Sequence, residues 1–221
     1  MRIAVLASGR GSNLRALLDA ERAGCLGGGH VIAVFSDRVH AGALVAAREA
    51  GRHAAALAPP DFASREAFDD ALFDQVLAVA PDLIVCAGYM RVLSANAVAR
   101  ARGRMINIHP SLLPLYPGLR PHERALAAGD VEHGASVHLV VPAVDSGAVL
   151  AQARVPVLPG DDAQALAARV LVREHPLLVA VVRAIAEGQL TLGPHALAWK
   201  GNPLHAPLSL DGDDRLEDSA R

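Results

Sequence analysis

Short apolar runs recur at residues 3–7, 31–35, 83–87 and 105–108, each of the length expected for a strand buried on both faces. Between them the period lengthens. Leu14, Leu17 and Leu18 repeat at i, i+3, i+4 behind Ser12 and Asn13, both good N-cap residues, and Phe68, Leu72 and Val76 make a second helical stripe. A weaker strand is predicted over 52–57, between helices predicted over 41–50 and 64–79. Strand alternating with helix implies a mostly parallel, doubly wound α/β sheet, so the first half reads as Rossmann-like.

After residue 110 the pattern changes. Pro110, Pro114, Pro117 and Pro121 crowd one segment too densely for a helix or a central strand, so a loop is predicted there. Residues 135–141 and 149–157 read as strands joined by the turn-rich segment 142–147, an antiparallel C-terminal extension of the sheet. Residues 163–187 read as a helical region that Pro176 should break or kink. Residues 190–192 and 196–199, separated by Gly193 and Pro194, suggest a small terminal hairpin. From His205 onward, Asp211, Asp213, Asp214, Glu217 and Asp218 stand among few apolar residues, so 205–221 is expected to be a flexible acidic tail on a single domain spanning 1–204.

Composition narrows the classes. With 221 residues, 52% hydrophobic and 20% charged, the chain is neither disordered nor fibrous. A chain of this length buries about 70% of the surface its unfolded form exposes, so its core needs neither metal nor disulfide support. A net charge of −2 supplies no global basic field to gather nucleic acid or an anionic membrane, so an anionic ligand must be met locally. Only Cys25 and Cys86 occur, which is no disulfide framework. The apolar runs break well short of the roughly 20 residues a membrane span requires, and the first is too short for a secretory signal. The cytoplasm is the expected compartment.

Two segments carry candidate chemistry. Ser8, Gly9, Arg10, Gly11, Ser12 and Asn13 lie between the first strand and the first helix, where backbone N–H groups and the positive helix end can cradle a phosphate. Asp37 follows the second strand, where a dinucleotide-binding fold places its ribose acid. Leu14, however, replaces the third glycine of G-x-G-x-x-G, which favours a compact anion over a dinucleotide. A tight turn without ligand is the plainer alternative. The second segment ends the strand at 105–108: Asn107 and His109 are two residues apart and point to one side, an amide donor beside an imidazole, suited to gripping a developing oxyanion. Asp145, followed by Ser146 and Gly147, is a candidate partner whose carboxylate would raise the His109 pKa. The alternative is a satisfied sheet-edge histidine and an ordinary turn acid. His122, His133 and His138 lack the helical pairing with a carboxylate that signals zinc, so no metal is expected, and His138 reads as a packed strand residue.

SGRGSN, AGYMRVLS, NIHPSLLP, YPGL, the EHGASVH strand and a D-x-G turn follow one another from about residue 1 to residue 200. In order and spacing the chain resembles the phosphoribosylglycinamide formyltransferase family, and NIHPSLLP is specific to folate-dependent formyl transferases and hydrolases. The resemblance implies a formyltransferase fold and, without a metal, transfer of the formyl group of 10-formyltetrahydrofolate to the amine of 5-phosphoribosylglycinamide in de novo purine biosynthesis. It implies that Asn107, His109 and Asp145 are catalytic. Gly11, Ser12 and Asn13 match the family's phosphate loop, and Glu174 a carboxylate holding the ribose hydroxyls. For the folate, Arg65 matches a position near the glutamate tail, Met90, Arg91, Val92 and Leu93 a wall of the pterin pocket, and Val141, Pro142, Ala143 and Val144 the loop that closes it. The implied partners are these two small molecules, with neither nucleic acid nor membrane, in a monomer or homodimer. Ser146, Arg120 and Pro176 depart from the family's usual residues. Methionyl-tRNA formyltransferase and formyltetrahydrofolate hydrolase share the formyl-handling segment but usually need more chain. A nicotinamide-dependent oxidoreductase and a phosphosugar binder are the rivals from other classes.

Overall fold

The computed structural model describes residues 1–193 and 197–219. The first half alternates as the periodicity requires: β1 (Arg2–Leu6), α1 (Ser12–Arg22), β2 (His30–Ser36), α2 (Gly42–Glu49), β3 (His53–Ala56), α3 (Arg65–Ala78), β4 (Leu83–Cys86), α4 (Ala95–Arg100) and β5 (Met105–His109). The second half holds α5 (Pro121–Ala128), β6 (Glu132–Leu139), β7 (Val149–Pro156), α6 (Ala163–Ala186), β8 (Leu190–Thr191), β9 (Ala198–Trp199), β10 (Asn202–Pro203), β11 (Leu208–Leu210) and β12 (Leu216–Asp218).

The main sheet runs β12-β11-β7-β6-β5-β4-β1-β2-β3, and a small separate sheet runs β10-β9-β8. Strands β1 to β5 are mutually parallel. β6 is antiparallel to both β5 and β7, while β11 runs parallel to β7 and β12 turns back along it. β1 lies between β2 and β4, so the order reverses there and opens a crevice at the carboxyl ends of the parallel strands.

Strand alternation explains why the early runs look uniformly apolar. Ile3, Val5 and Ala7 pack into one core with Leu14, Leu17, Leu178 and Val181, whereas Ala4 and Leu6 pack into the other with Phe35, Phe68, Leu72 and Phe73. Both faces of β1 are therefore buried beneath helices, and a polar residue fits neither.

Four expectations need correction. Gly11, in the left-handed region at φ 80°, is the N-cap of α1, so Ser12 and Asn13 lie inside the first turn and do not cap it. The proline-rich loop stops early because Pro121 opens α5, where its missing N–H costs nothing. Pro176 does not break α6, which continues to Ala186; the Val172 carbonyl that loses its donor belongs to a residue on the solvent side, 70% exposed. The segment after His205 is not frayed over its described length. Leu208 and Leu210 are buried in β11, and the Arg173 guanidinium binds the carbonyls of Leu210 and Asp211 at 3.2 and 2.5 Å and the Asp214 carboxylate at 2.9 Å. Acidic composition masked a short apolar alternation that pairs with β7. Of the expected hairpin, Leu190 and Thr191 do pair with Trp199 and Ala198; Pro194 and Ala196 lie outside the described residues.

Candidate active site

Ile106 and Ile108 face the core shared with α6, which turns Asn107 and His109 to the opposite side of β5. The antiparallel register sets His138 of β6 opposite Asn107 and Ser136 opposite His109. Asp145 arrives from the turn between β6 and β7 in a left-handed conformation at φ 48°. That turn depends on Gly147, where an added Cβ would lie 1.8 Å from the Leu139 carbonyl oxygen.

The carboxylate of Asp145 ties the cluster together. Its Oδ2 lies 3.3 Å from His109 Nδ1 and accepts from the Gly118 N–H at 2.8 Å. Its Oδ1 lies 3.4 Å from both His138 Nε2 and Asn107 Nδ2. His109 Nε2 is 3.0 Å from the Tyr116 carbonyl oxygen. The sequence reading thus paired Asn107, His109 and Asp145 correctly in space, and missed His138, Tyr116 and Gly118. A histidine two positions beyond Ser136 in a strand carries no local mark of its role; only the β5–β6 register reveals it.

Electrostatics corrects one expectation. Burial pulls the His109 pKa below its ordinary value, and the Tyr116 carbonyl and the Asp145 charge, which pull upward, do not overcome it. Acceptors nonetheless face both ring nitrogens, and both are satisfied only by a doubly protonated ring. The site is shaped for an imidazolium whose charge burial makes costly, a cost that further negative charge developing beside the ring would offset. Burial would raise Asp145, but the His138 and His109 imidazoles alongside it and the Gly118 N–H hold it down to about 2. Asp145 is therefore an anion throughout the physiological range.

A buried polar lattice supports the loop after His109. The Ser136 hydroxyl donates to the Ser111 carbonyl at 2.7 Å and accepts from the Leu113 N–H and from Gln152 Nε2, each at 3.0 Å. Further along, His122 Nδ1 and His133 Nε2 meet at 3.1 Å, and the Tyr116 hydroxyl donates to Asp130 at 2.7 Å. Burial, with His122 alongside, lowers His133 to about 4.

The glycine loop has a structural as well as a chemical reason. A Cβ on Gly11 would meet the Ala43 Cα at 2.7 Å, and one on Gly42 the Arg10 carbonyl oxygen at 2.9 Å, so the loop and the start of α2 lie backbone against backbone. No side chain caps α1, which leaves its first N–H groups free for an anion. Asn13 Nδ2 donates to Glu174 Oε1 at 2.6 Å, joining residues far apart in sequence at one end of α1. Burial raises the Glu174 pKa against this hydrogen bond.

Of the remaining positions, Met90 and Val92 stand exposed, Leu93 is packed in the core, and the Arg91 guanidinium lies 4.9 Å over the Phe68 ring. The Met90 N–H donates to Ser8 Oγ at 2.9 Å, which ties this segment to the glycine loop. Val141, Pro142, Ala143 and Val144 are exposed in the turn that carries Asp145. Arg65 opens α3 in solvent, 3.4 Å from Glu66, and makes no contact with the catalytic cluster. Asp37 is buried with Oδ1 unpartnered. Among the described residues there is no group of three His, Cys, Asp or Glu that could hold a metal ion, and no helix long and apolar enough to cross a membrane.

Residues 1–182 match the family model described as formyl transferase. The phosphoribosylglycinamide formyltransferase of Escherichia coli (strain K12) is 46% identical over 199 residues, 90% of this chain and 93% of its own. That of Haemophilus influenzae is 40% identical over 203 residues, 92% of this chain and 95% of its own. The solved phosphoribosylglycinamide formyltransferase of Coxiella burnetii superposes with a TM-score of 0.87 at 41% identity, over 92% of this chain and 95% of that one. The same mostly parallel sheet with a small antiparallel sheet after it is thus shared along nearly the whole length. The chain belongs to the formyl transferase family and, within it, to the phosphoribosylglycinamide formyltransferases, enzymes of formyl transfer in purine biosynthesis.

Proposed function

We propose that the chain transfers the formyl group of 10-formyltetrahydrofolate to the amine of 5-phosphoribosylglycinamide at the Asn107–His109–Asp145 cluster. The amine attacks the formyl carbon, and the carbonyl becomes a tetrahedral oxyanion. Asn107 Nδ2 and a protonated His109 donate to that oxygen, where donors fixed in a buried site count most. Asp145 holds His109 in its charged form as the intermediate develops and assists, through water, transfer of the amine proton to the departing donor nitrogen. Collapse re-forms the carbonyl on the new nitrogen and releases tetrahydrofolate.

The N–H groups of Gly11, Ser12 and Asn13 are suited to the phosphate, and Glu174, held by Asn13, to the ribose hydroxyls. Met90, Val92 and Val141 to Val144 supply the exposed apolar surface that a flat pterin needs beside a few polar groups, with Leu93 buried behind them and Arg91 beside them, and Arg65 supplies a cation for the glutamate tail. The proposed reaction uses side chains and backbone alone, acts on these two small molecules, and is expected to take place in the cytoplasm.

The observation that carries this reading is the convergence on Asp145 of His109 at 3.3 Å and Asn107 at 3.4 Å, from strand end and turn, beside the sheet crevice. The test is a spectrophotometric formyl-transfer assay with 5-phosphoribosylglycinamide, run beside initiator tRNA and water as acceptors. We expect transfer to the phosphosugar only. His109→Ala and Asp145→Ala are expected to lower kcat by about 10²-fold or more with modest KM changes. Near-normal turnover in either variant contradicts the assignment.

A further inference from the structure

We infer that His138 is a positioning residue that sets which end of the Asn107 amide faces the reacting carbonyl. The inference rests on the role proposed above for Asn107. An asparagine amide has a donor end and an acceptor end of nearly equal size, so something must choose between them. Here the choice is made across the β5–β6 ladder, where Asn107 and His138 are direct partners.

The hydrogen-bond inventory fixes the arrangement. His138 Nδ1 lies 2.8 Å from the Leu139 carbonyl oxygen, which only accepts, so Nδ1 carries a proton. In the neutral ring Nε2 is then a bare lone pair, and Asn107 Nδ2 donates to it at 3.1 Å. Turned over, the amide would aim its oxygen at that lone pair and at the Asp145 carboxylate, three acceptors sharing no hydrogen in a nearly closed space. His138 thereby takes one Asn107 hydrogen permanently. The other points toward Asp145 Oδ1 at 3.4 Å, long for a hydrogen bond, and is available to a formyl oxygen that comes between them as charge builds. The Asn107 Oδ1 is left to accept from the attacking amine. His138 is 2% exposed, so it acts through Asn107 and not on substrate.

The competing arrangement is a ring protonated at Nε2, alone or together with Nδ1, donating to Asp145 Oδ1 3.4 Å away and forcing Asn107 to turn over. Nitrogen NMR of the histidine-labelled full chain near pH 7.5 separates the two. We expect His138 with Nδ1 protonated and Nε2 bare, and a protonated Nε2 overturns the inference.

Kinetics supply the second arm. His138→Leu, which has no acceptor, is expected to lower kcat by about ten- to a hundredfold, the cost of a small misplacement, with both KM values within about twofold. His138→Gln, which retains an acceptor, is expected to recover most of that loss. Neither change is expected to lower kcat further in an Asn107→Ala background. An undiminished kcat in His138→Leu, or a Gln variant no better than Leu, refutes the inference. If Asn107→Ala is slow and His138→Leu adds its full loss on top, the positioning role alone fails. If Asn107→Ala leaves kcat intact, the role of Asn107 itself fails and takes this inference with it. Should His138→Leu not fold, the Gln variant and the NMR tautomer still decide.

Discussion

Replacing Ser136 with alanine removes one hydroxyl that serves three partners. Ser136 is fully buried; its Oγ donates to the Ser111 carbonyl at 2.7 Å and accepts from the Leu113 N–H and Gln152 Nε2 at 3.0 Å. Gln152 keeps its bond to the Leu113 carbonyl at 2.8 Å, so that amide is not orphaned. The Ser111 carbonyl and the Leu113 N–H lose this partner, and both residues are buried. A buried polar group left unsatisfied costs about 1–3 kcal/mol, so Ser136→Ala is expected to cost about 2–4 kcal/mol. In a domain of this size each kcal/mol lowers Tm by about 2–4 °C, which places the shift at roughly 5–15 °C. Urea and thermal unfolding measure it, with Ser146→Ala as control. Ser146 bonds only the Ala143 carbonyl on an exposed turn, and its loss is expected to stay within about 0.5 kcal/mol. A Ser136→Ala cost under about 1 kcal/mol would refute the reasoning and show that apolar packing, and not this lattice, holds the segment after His109.

Stability is expected to fall on acidification. His133 is buried and held at about 4 against an ordinary 6.5, so the unfolded chain binds its proton first and stability, complete above pH 6.5, declines toward pH 4 by up to about 3 kcal/mol. Asp145, at about 2 against 3.8, contributes above pH 3.8, and that contribution is lost as pH falls to 2. Urea midpoints that stay level from pH 7 to pH 4 contradict the His133 part. Deleting residues 205–221 withdraws Leu208 and Leu210 from the core; each is worth at most about 1.5–3 kcal/mol, so Tm is expected to drop, and an unchanged Tm shows that β11 adds nothing. Gly147→Ala puts a Cβ against the Leu139 carbonyl and so displaces the turn bearing Asp145. We expect a fall in kcat larger than the fall in Tm explains, and normal turnover by the folded variant contradicts that.

The parallel half of the sheet was legible in the sequence because strands covered on both faces need unbroken apolar runs, and that need is local. The juxtaposition of Asn107 and His109 was legible for the same kind of reason: a period of two puts both on one side of β5 wherever the strand lies. The motifs from SGRGSN to the D-x-G turn carried the family.

Other features are set by pairing across distance. The short run Leu208-Ser209-Leu210 becomes a strand only beside β7, and the charges around it hid that partner. His138 joins the site through antiparallel register, Glu174 through an amide on another helix, and Asp145 through a left-handed turn permitted by a glycine. The acid beside His109 raises its pKa, as the residue types imply, but the side chain is 8% exposed, and the desolvation it suffers prevails over the nearby charge. How much water a group loses depends on everything packed around it, which only the assembled fold decides.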